Sequence, residues 1–145
     1  MSEAEAVPSL CFVDTNIWLY AFISGSDAAK SDRARQLLRD NAASLVLSSQ
    51  VINEVCVNLL KKAHIPELEI QELIRSFHQK YQVVLLDQAV QVAASELRVR
   101  FSLSFWDSLI LAAAVHCGAS VLYSEDLQAG LKVNERLTVR NPLAP

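Results

Sequence analysis

Four short apolar runs punctuate the chain, at residues 10–13, 45–47, 83–86 and 121–123, and each is followed by a stretch whose apolar residues recur every three or four positions. The runs predict buried strands. The stretches "DRARQLLRDNA", "SQVINEVCVNLLKKA", "PELEIQELIRSFHQKY", "QAVQVAASELRV" and "FWDSLILAAAVHC" predict helices, as do the residues after Asp14. Such alternation implies an α/β fold, a three-layer α/β/α domain with a central parallel sheet of four to five strands. The fifth strand is expected at the edge, over residues 137–139, with Pro142 stopping it. Pro66 suits the first turn of a helix, Asp87 and Ser104 suit N-caps, and Gly118 suits the left-handed residue after a helix end.

In an open parallel sheet, ligands bind outside the carboxyl ends of the strands. Asp14 follows the first expected strand, Ser48 and Ser49 the second, Asp87 the third, and Ser124-Glu125-Asp126 the fourth. Each acid has an ordinary explanation. Asp14 can cap the helix that begins near Asn16. Asp107 follows Ser104 by three residues, as in a capping box. Glu54 shares a helical stripe with Gln50, Asn58 and Lys61 that can face solvent, and Asp126 can be a turn residue. Three features point the other way. Asp14 has apolar flanks. The helix behind Asp107, "SLILAAAVHC", is apolar on every side and therefore expected inside. Asp126 follows a buried strand at the same sheet edge as Asp14, which makes it, rather than Glu125, the natural partner of Asp14.

Two carboxylates about 4 Å apart repel by roughly 4 kcal/mol at an effective dielectric of 20, so a cluster of Asp14, Glu54, Asp107 and Asp126 calls for a cation. An oxygen-only donor set selects a hard ion, Mg²⁺ or Mn²⁺. His64 and His78 are expected on helix surfaces and His116 near a helix end; no histidine or cysteine pair has zinc spacing.

Composition narrows the setting. At 145 residues and 52% hydrophobic content the chain suits one domain with a large core. Cys11, Cys56 and Cys117 lie in apolar stretches without paired spacing and read as buried thiols of a reducing cytoplasm. Residues 1–9 carry Glu3 and Glu5 with no basic region or apolar core, which predicts a disordered lead-in and not a secretory leader. No uncharged run reaches the roughly 18 apolar residues of a membrane span. A net charge of −3 excludes a strongly basic nucleic-acid binder, although local clusters remain, Lys30, Arg33, Arg35 and Arg39 in one and Lys61 with Lys62 in another. Trp18 and Trp106 are both expected in the core, with Trp106, beside Asp107, the one candidate for stacking on an unpaired base.

The segments "FVDTNIWLYAF", "INEVCVNLLKK", "FWDSLILAAAVHCGASVLYSEDLQ" and "LTVRNP", in this order, resemble the PIN-domain ribonucleases, particularly the VapC-type toxins of bacterial type II toxin–antitoxin pairs. The resemblance covers residues 10–143. It places the family's four acidic positions on Asp14, Glu54, Asp107 and Asp126, and its supporting polar positions on Thr15, Asn16 and Ser124. It implies a metal-dependent endoribonuclease acting on cellular RNA of the tRNA or rRNA class, a homodimer, and a small antitoxin covering the active site. Asp14, Asp107 and Asp126 are then the expected metal ligands. Two rival classes share parts of the pattern. A haloacid-dehalogenase-type phosphotransferase also begins with an aspartate after its first strand, but position 16 holds Asn16 where that class needs a second acid. A non-cleaving metal- or RNA-binding module would keep the same acids.

Overall fold

The computed structural model describes residues 9–23, 25 and 27–145. The expected lead-in therefore lies, except for Ser9, outside the described residues. The chain alternates strand and helix in the order β1 (Cys11–Val13), α1 (Thr15–Phe22), α2 (Ala28–Asp40), β2 (Leu45–Ser48), α3 (Ser49–Lys62), α4 (Glu67–Lys80), β3 (Gln82–Val84), α5 (Gln88–Phe101), α6 (Phe105–His116), β4 (Val121–Tyr123) and β5 (Thr138–Arg140). All five strands form one parallel sheet in the order β3-β2-β1-β4-β5.

That order decides where the helices lie. The chain runs from β1 outward through β2 to β3, then returns to β4 on the other side of β1. Right-handed crossovers place α1 to α4 on one face of such a sheet and α5 with α6 on the other. The packing agrees, with α1 against α2 and α3, α3 against α4, and α5 against α6. Because the inner strands are covered on both faces, they read as unbroken apolar runs: Phe12, Val13, Val46, Leu47 and Leu122 are all fully buried. On the α1 side, Trp18 packs edge-on against Phe77 at 5.2 Å and 87°, with Tyr81 at 5.3 Å, and its indole N–H donates to the Val13 carbonyl at 3.1 Å. Helix α6 ends as its glycine predicts: Gly118 takes φ +75° while Ala119 N–H reaches back to the Ala114 carbonyl at 3.2 Å.

Four expectations need correction. The third strand is Gln82–Val84 and not 83–86, because it pairs only with β2, whose last partner is Ser48 opposite Val84; Leu85 then turns outward and is exposed. Helix α2 starts four residues earlier than its apolar spacing suggests, since the Asp27 carboxylate accepts the Lys30 amide at 3.1 Å and caps the earlier turn. His64 is not on a helix but follows α3 with φ 52°. Pro66 occupies the cap position before α4, one residue ahead of the first turn. Cys11 and Cys56 are buried and Cys117 half-buried, all as free thiols, and burial raises all three.

Candidate metal and phosphodiester site

The chain reverses direction across the sheet between β1 and β4, so the turns after these two strands diverge and leave a crevice at their carboxyl ends. Asp14 ends β1. Its carboxylate caps α1 by accepting the Thr15 amide at 2.7 Å, so the capping explanation is correct as far as it goes. Its other oxygen accepts the Ser124 hydroxyl at 2.8 Å from the end of β4. Ser124 is fully buried and its oxygen also accepts the amides of Asp126 and Leu127 at 3.2 and 3.1 Å, which shapes the turn that carries Asp126.

The other acids arrive from both faces. Glu54, on the second turn of α3, accepts the Thr15 hydroxyl at 2.5 Å on one oxygen and the Gln50 amide at 2.9 Å on the other. Asp126 accepts the Asn16 amide at 2.6 Å. Asp107 lies in the first turn of α6, where the Ser104 hydroxyl accepts its backbone N–H at 3.1 Å. Residues Ser108 to Ala114 behind it are buried, but Asp107 itself is only half-buried. Asp14, Glu54, Asp107 and Asp126 all line one cavity of about 180 Å³, together with Thr15, Asn16, Gln50, Asn58, Lys62 and Trp106. Ser124 lies behind Asp14.

The charges act on one another. Burial pushes the Asp14 carboxyl up to about 6; the charges of Asp126 and Glu54 add to the rise, and the Ser124 and Thr15 hydrogen bonds oppose it. Asp126 stands at the exposed rim, where partial burial and then the charges of Asp107 and Glu125 raise it, opposed by Asn16. Glu125 itself is committed elsewhere: its oxygens take the Lys30 ammonium at 2.6 Å and the Tyr20 hydroxyl at 3.2 Å. Among the described residues none of the four cavity acids is in an ion pair.

Among the described residues no three His, Cys, Asp or Glu side chains stand close enough together to form a ready-made metal cage. The donor chemistry nevertheless fits a hard divalent cation. Four carboxylates line one small cavity, their hydrogen-bond partners are neutral donors, and Lys62 is the one ammonium in the lining. Asp14, Asp107 and Asp126 could share such an ion.

Three polar residues of the lining were not assigned to the site by sequence reasoning. Gln50, 5% exposed, lies under the cavity, and its amide bridges Glu54 to the Trp106 carbonyl at 3.3 Å. Lys62 and Asn58 complete the series 50, 54, 58, 62 down one side of α3, a four-residue spacing that was visible in the sequence; the stripe faces the cavity, and Lys61 lies outside it. Trp106 is 63% exposed at the cavity mouth, which corrects its expected place in the core.

The fold and site define an open α/β domain with acids gathered in a crevice at the switch point of its parallel sheet. The chain belongs to the PIN-domain family, whose model matches residues 11–131. Solved structures similar to it include a toxin–antitoxin complex from Klebsiella pneumoniae (20% identity, TM-score 0.68, covering 92% of this chain and 98% of that one). They also include VapC20 from Mycobacterium tuberculosis, a Sarcin-Ricin loop cleaving toxin (23%, TM-score 0.66, 80% and 89%). A third is DNA-bound VapBC from Salmonella typhimurium (15%, TM-score 0.65, 93% and 99%). No sequence among curated proteins matches the chain. At these identities the likeness establishes the fold. Among the described residues no helix is long and apolar enough to cross a membrane.

Proposed function

We propose that the protein is a Mg²⁺- or Mn²⁺-dependent endoribonuclease, the toxin of a toxin–antitoxin pair, cleaving cellular RNA of the tRNA or rRNA class. The observation that carries this reading is the gathering of Asp14, Glu54, Asp107 and Asp126 into one cavity from four separate parts of the chain. Asp14, Asp107 and Asp126 would hold the ion. When bound, the ion neutralises phosphate charge and brings the pKa of water toward neutrality.

The chain's own residues set the geometry. Thr15 and Gln50 fix both oxygens of Glu54, which leaves that carboxylate oriented to hold the ion or to accept a proton from the attacking water. Asn16 and Ser124 fix Asp126 and Asp14 in the same way. Water attack at phosphorus with departure of the 3′ oxygen leaves 5′-phosphate and 3′-hydroxyl ends. A homodimer and a small antitoxin that covers the cavity belong to the same reading; fold relatives solved as toxin–antitoxin complexes support the antitoxin, and the homodimer rests on the sequence resemblance alone.

The test is cleavage of total RNA by antitoxin-free protein in Mg²⁺, in Mn²⁺ and in EDTA, with Asp14→Asn and Asp107→Asn alongside. Cleavage that survives EDTA, or full activity in either variant, refutes the mechanism. RNA binding without cutting across both metal titrations would instead identify a non-cleaving module. The phosphotransferase alternative loses ground on geometry, since the amide of Asn16 is spent on Asp126 where that class needs a free acid.

A further inference from the structure

We propose that Trp106 and the cleft beside it form a subsite for one unpaired base of the RNA next to the scissile phosphodiester, so that the enzyme selects single-stranded segments over duplex. This rests on the ribonuclease reading for the identity of its ligand, but on different atoms. The cleft has a volume of about 430 Å³ and is lined by Gln50, Asn53, Glu54, Leu86 and Trp106. Trp106, Gln50 and Glu54 line the acidic cavity as well, so the two spaces share a wall. A phosphate in the first would put the adjoining base within reach of the second.

The aromatic group is displayed. At 63% exposed, the indole leaves a large apolar surface in water, whereas Trp18 is 1% exposed. Phe105 meets it at 5.3 Å and 90°, and Arg98 in turn lies 5.7 Å over the Phe105 ring. A perpendicular contact cannot cover both faces of the indole, so at least one stays free of Phe105 to stack on a planar ligand.

The wall that the cleft shares with the acidic cavity is itself buried: Gln50 is 5% exposed, and its amide nitrogen faces Glu54 Oε1 and the Trp106 carbonyl, which ties the first turn of α6 to α3. A base in duplex is stacked on both faces and cannot take the indole, so the subsite accepts an unpaired base and rejects paired ones.

Binding is read by fluorescence anisotropy in EDTA, without cleavage, using labelled single-stranded RNA of mixed sequence and a hairpin-free duplex. The proteins are the parent chain, Trp106→Phe, Trp106→Leu and Trp106→Ala, each checked by thermal melting. Loss of the ring in the Leu and Ala variants should weaken single-strand binding by about 5- to 150-fold, the equivalent of about 1–3 kcal/mol per stacked base, with Phe retaining most of the affinity and duplex binding unmoved. The Leu variant keeps apolar bulk, so the comparison of Phe with Leu stands even where Ala melts early. Single-strand affinity equal in Phe and Leu variants, or no single-strand binding by the parent, overturns the subsite and leaves the cleft to a protein side chain. Cleavage in Mg²⁺ is scored separately: a parent that binds through Trp106 yet never cuts refutes the nuclease and spares the subsite, and a parent that cuts while all variants bind alike does the reverse.

Discussion

Replacing Asp14 by asparagine should stabilise the metal-free protein at neutral pH while removing the site's first ligand. The carboxyl is 5% exposed and raised from 3.8 to about 6, chiefly by burial. A raised carboxyl favours the protonated folded state, so stability falls as pH climbs from about 4 through 6 and stays low above it. The rise of roughly two pH units corresponds to about 3 kcal/mol lost at pH 8 relative to a neutral side chain. Asparagine caps helices as well as aspartate does. It cannot, however, reproduce both bonds: Ser124 Oγ already accepts two backbone amides, so its one hydrogen goes to Asp14, and an amide N–H placed there faces no open lone pair. That loss costs about 1–1.5 kcal/mol.

The net gain is therefore about 1–2 kcal/mol at pH 8, which raises the melting midpoint by roughly 2–8 °C in a chain of this size. At pH 4 the gain should vanish or reverse, because the parent carboxyl is then neutral and keeps its bond to Ser124. Thermal melts in EDTA at pH 4, 6 and 8 measure the difference directly. Millimolar Mg²⁺ should then raise the parent midpoint more than that of Asp14→Asn, since an ion that binds only the folded state stabilises by mass action. A variant less stable than the parent at pH 8 in EDTA, or a difference that does not change with pH, would refute the account of Asp14 as an unpaired, desolvated charge.

Glu125→Gln should cost less than about 1 kcal/mol, as its partly exposed pair with Lys30 implies, and leave RNA cleavage at the parent rate, whereas Asp126→Asn should abolish it; a gel assay of both variants separates the two adjacent acids. Phe77→Ala should lose about 3–5 kcal/mol in urea unfolding, because Phe77 is 2% exposed and fills the space beside Trp18. Gly118→Ala should lose about 1 kcal/mol in the same assay, as its φ of +75° disfavours a side chain and the new Cβ would lie 3.1 Å from Arg136 Nη1.

The order of elements was legible because burial on both sheet faces leaves the inner strands as plain apolar runs, and the helices keep a polar face. The ends of elements were less so. Residues 85 and 86 continue the apolar run of β3, yet the strand stops where its single neighbour stops. The site divided along similar lines. The gathering of the four acids was legible in part: Asp14 and Asp126 follow the strands that flank the switch point, whereas Glu54 and Asp107 reach the same cavity from helices α3 and α6. The exposure of Trp106 was not legible, because apolar residues at the start of a buried helix read as core; only tertiary packing shows that α6 plunges inward from residue 108 while its first turn stays at the surface. Gln50 was read as part of a solvent stripe because nothing local says that Trp106, 56 residues later, supplies its carbonyl.

The contrast between neighbouring acids supports the proposed ion site. Glu125 has a lysine and a tyrosine hydroxyl, and its charge is answered within the chain. Asp14, Glu54 and Asp126 receive only neutral donors, from Thr15, Ser124, Gln50 and Asn16, which fix the direction of each carboxylate without neutralising it. Arginine or lysine at those donor positions would have lowered the carboxyls and stabilised the fold. It would also have cancelled the negative potential that draws a cation. Orienting acids while leaving their charge without an ion pair costs stability, and affinity toward a small hard ion, as proposed for this cavity, is the return that would offset it at a working site and not in a structural turn.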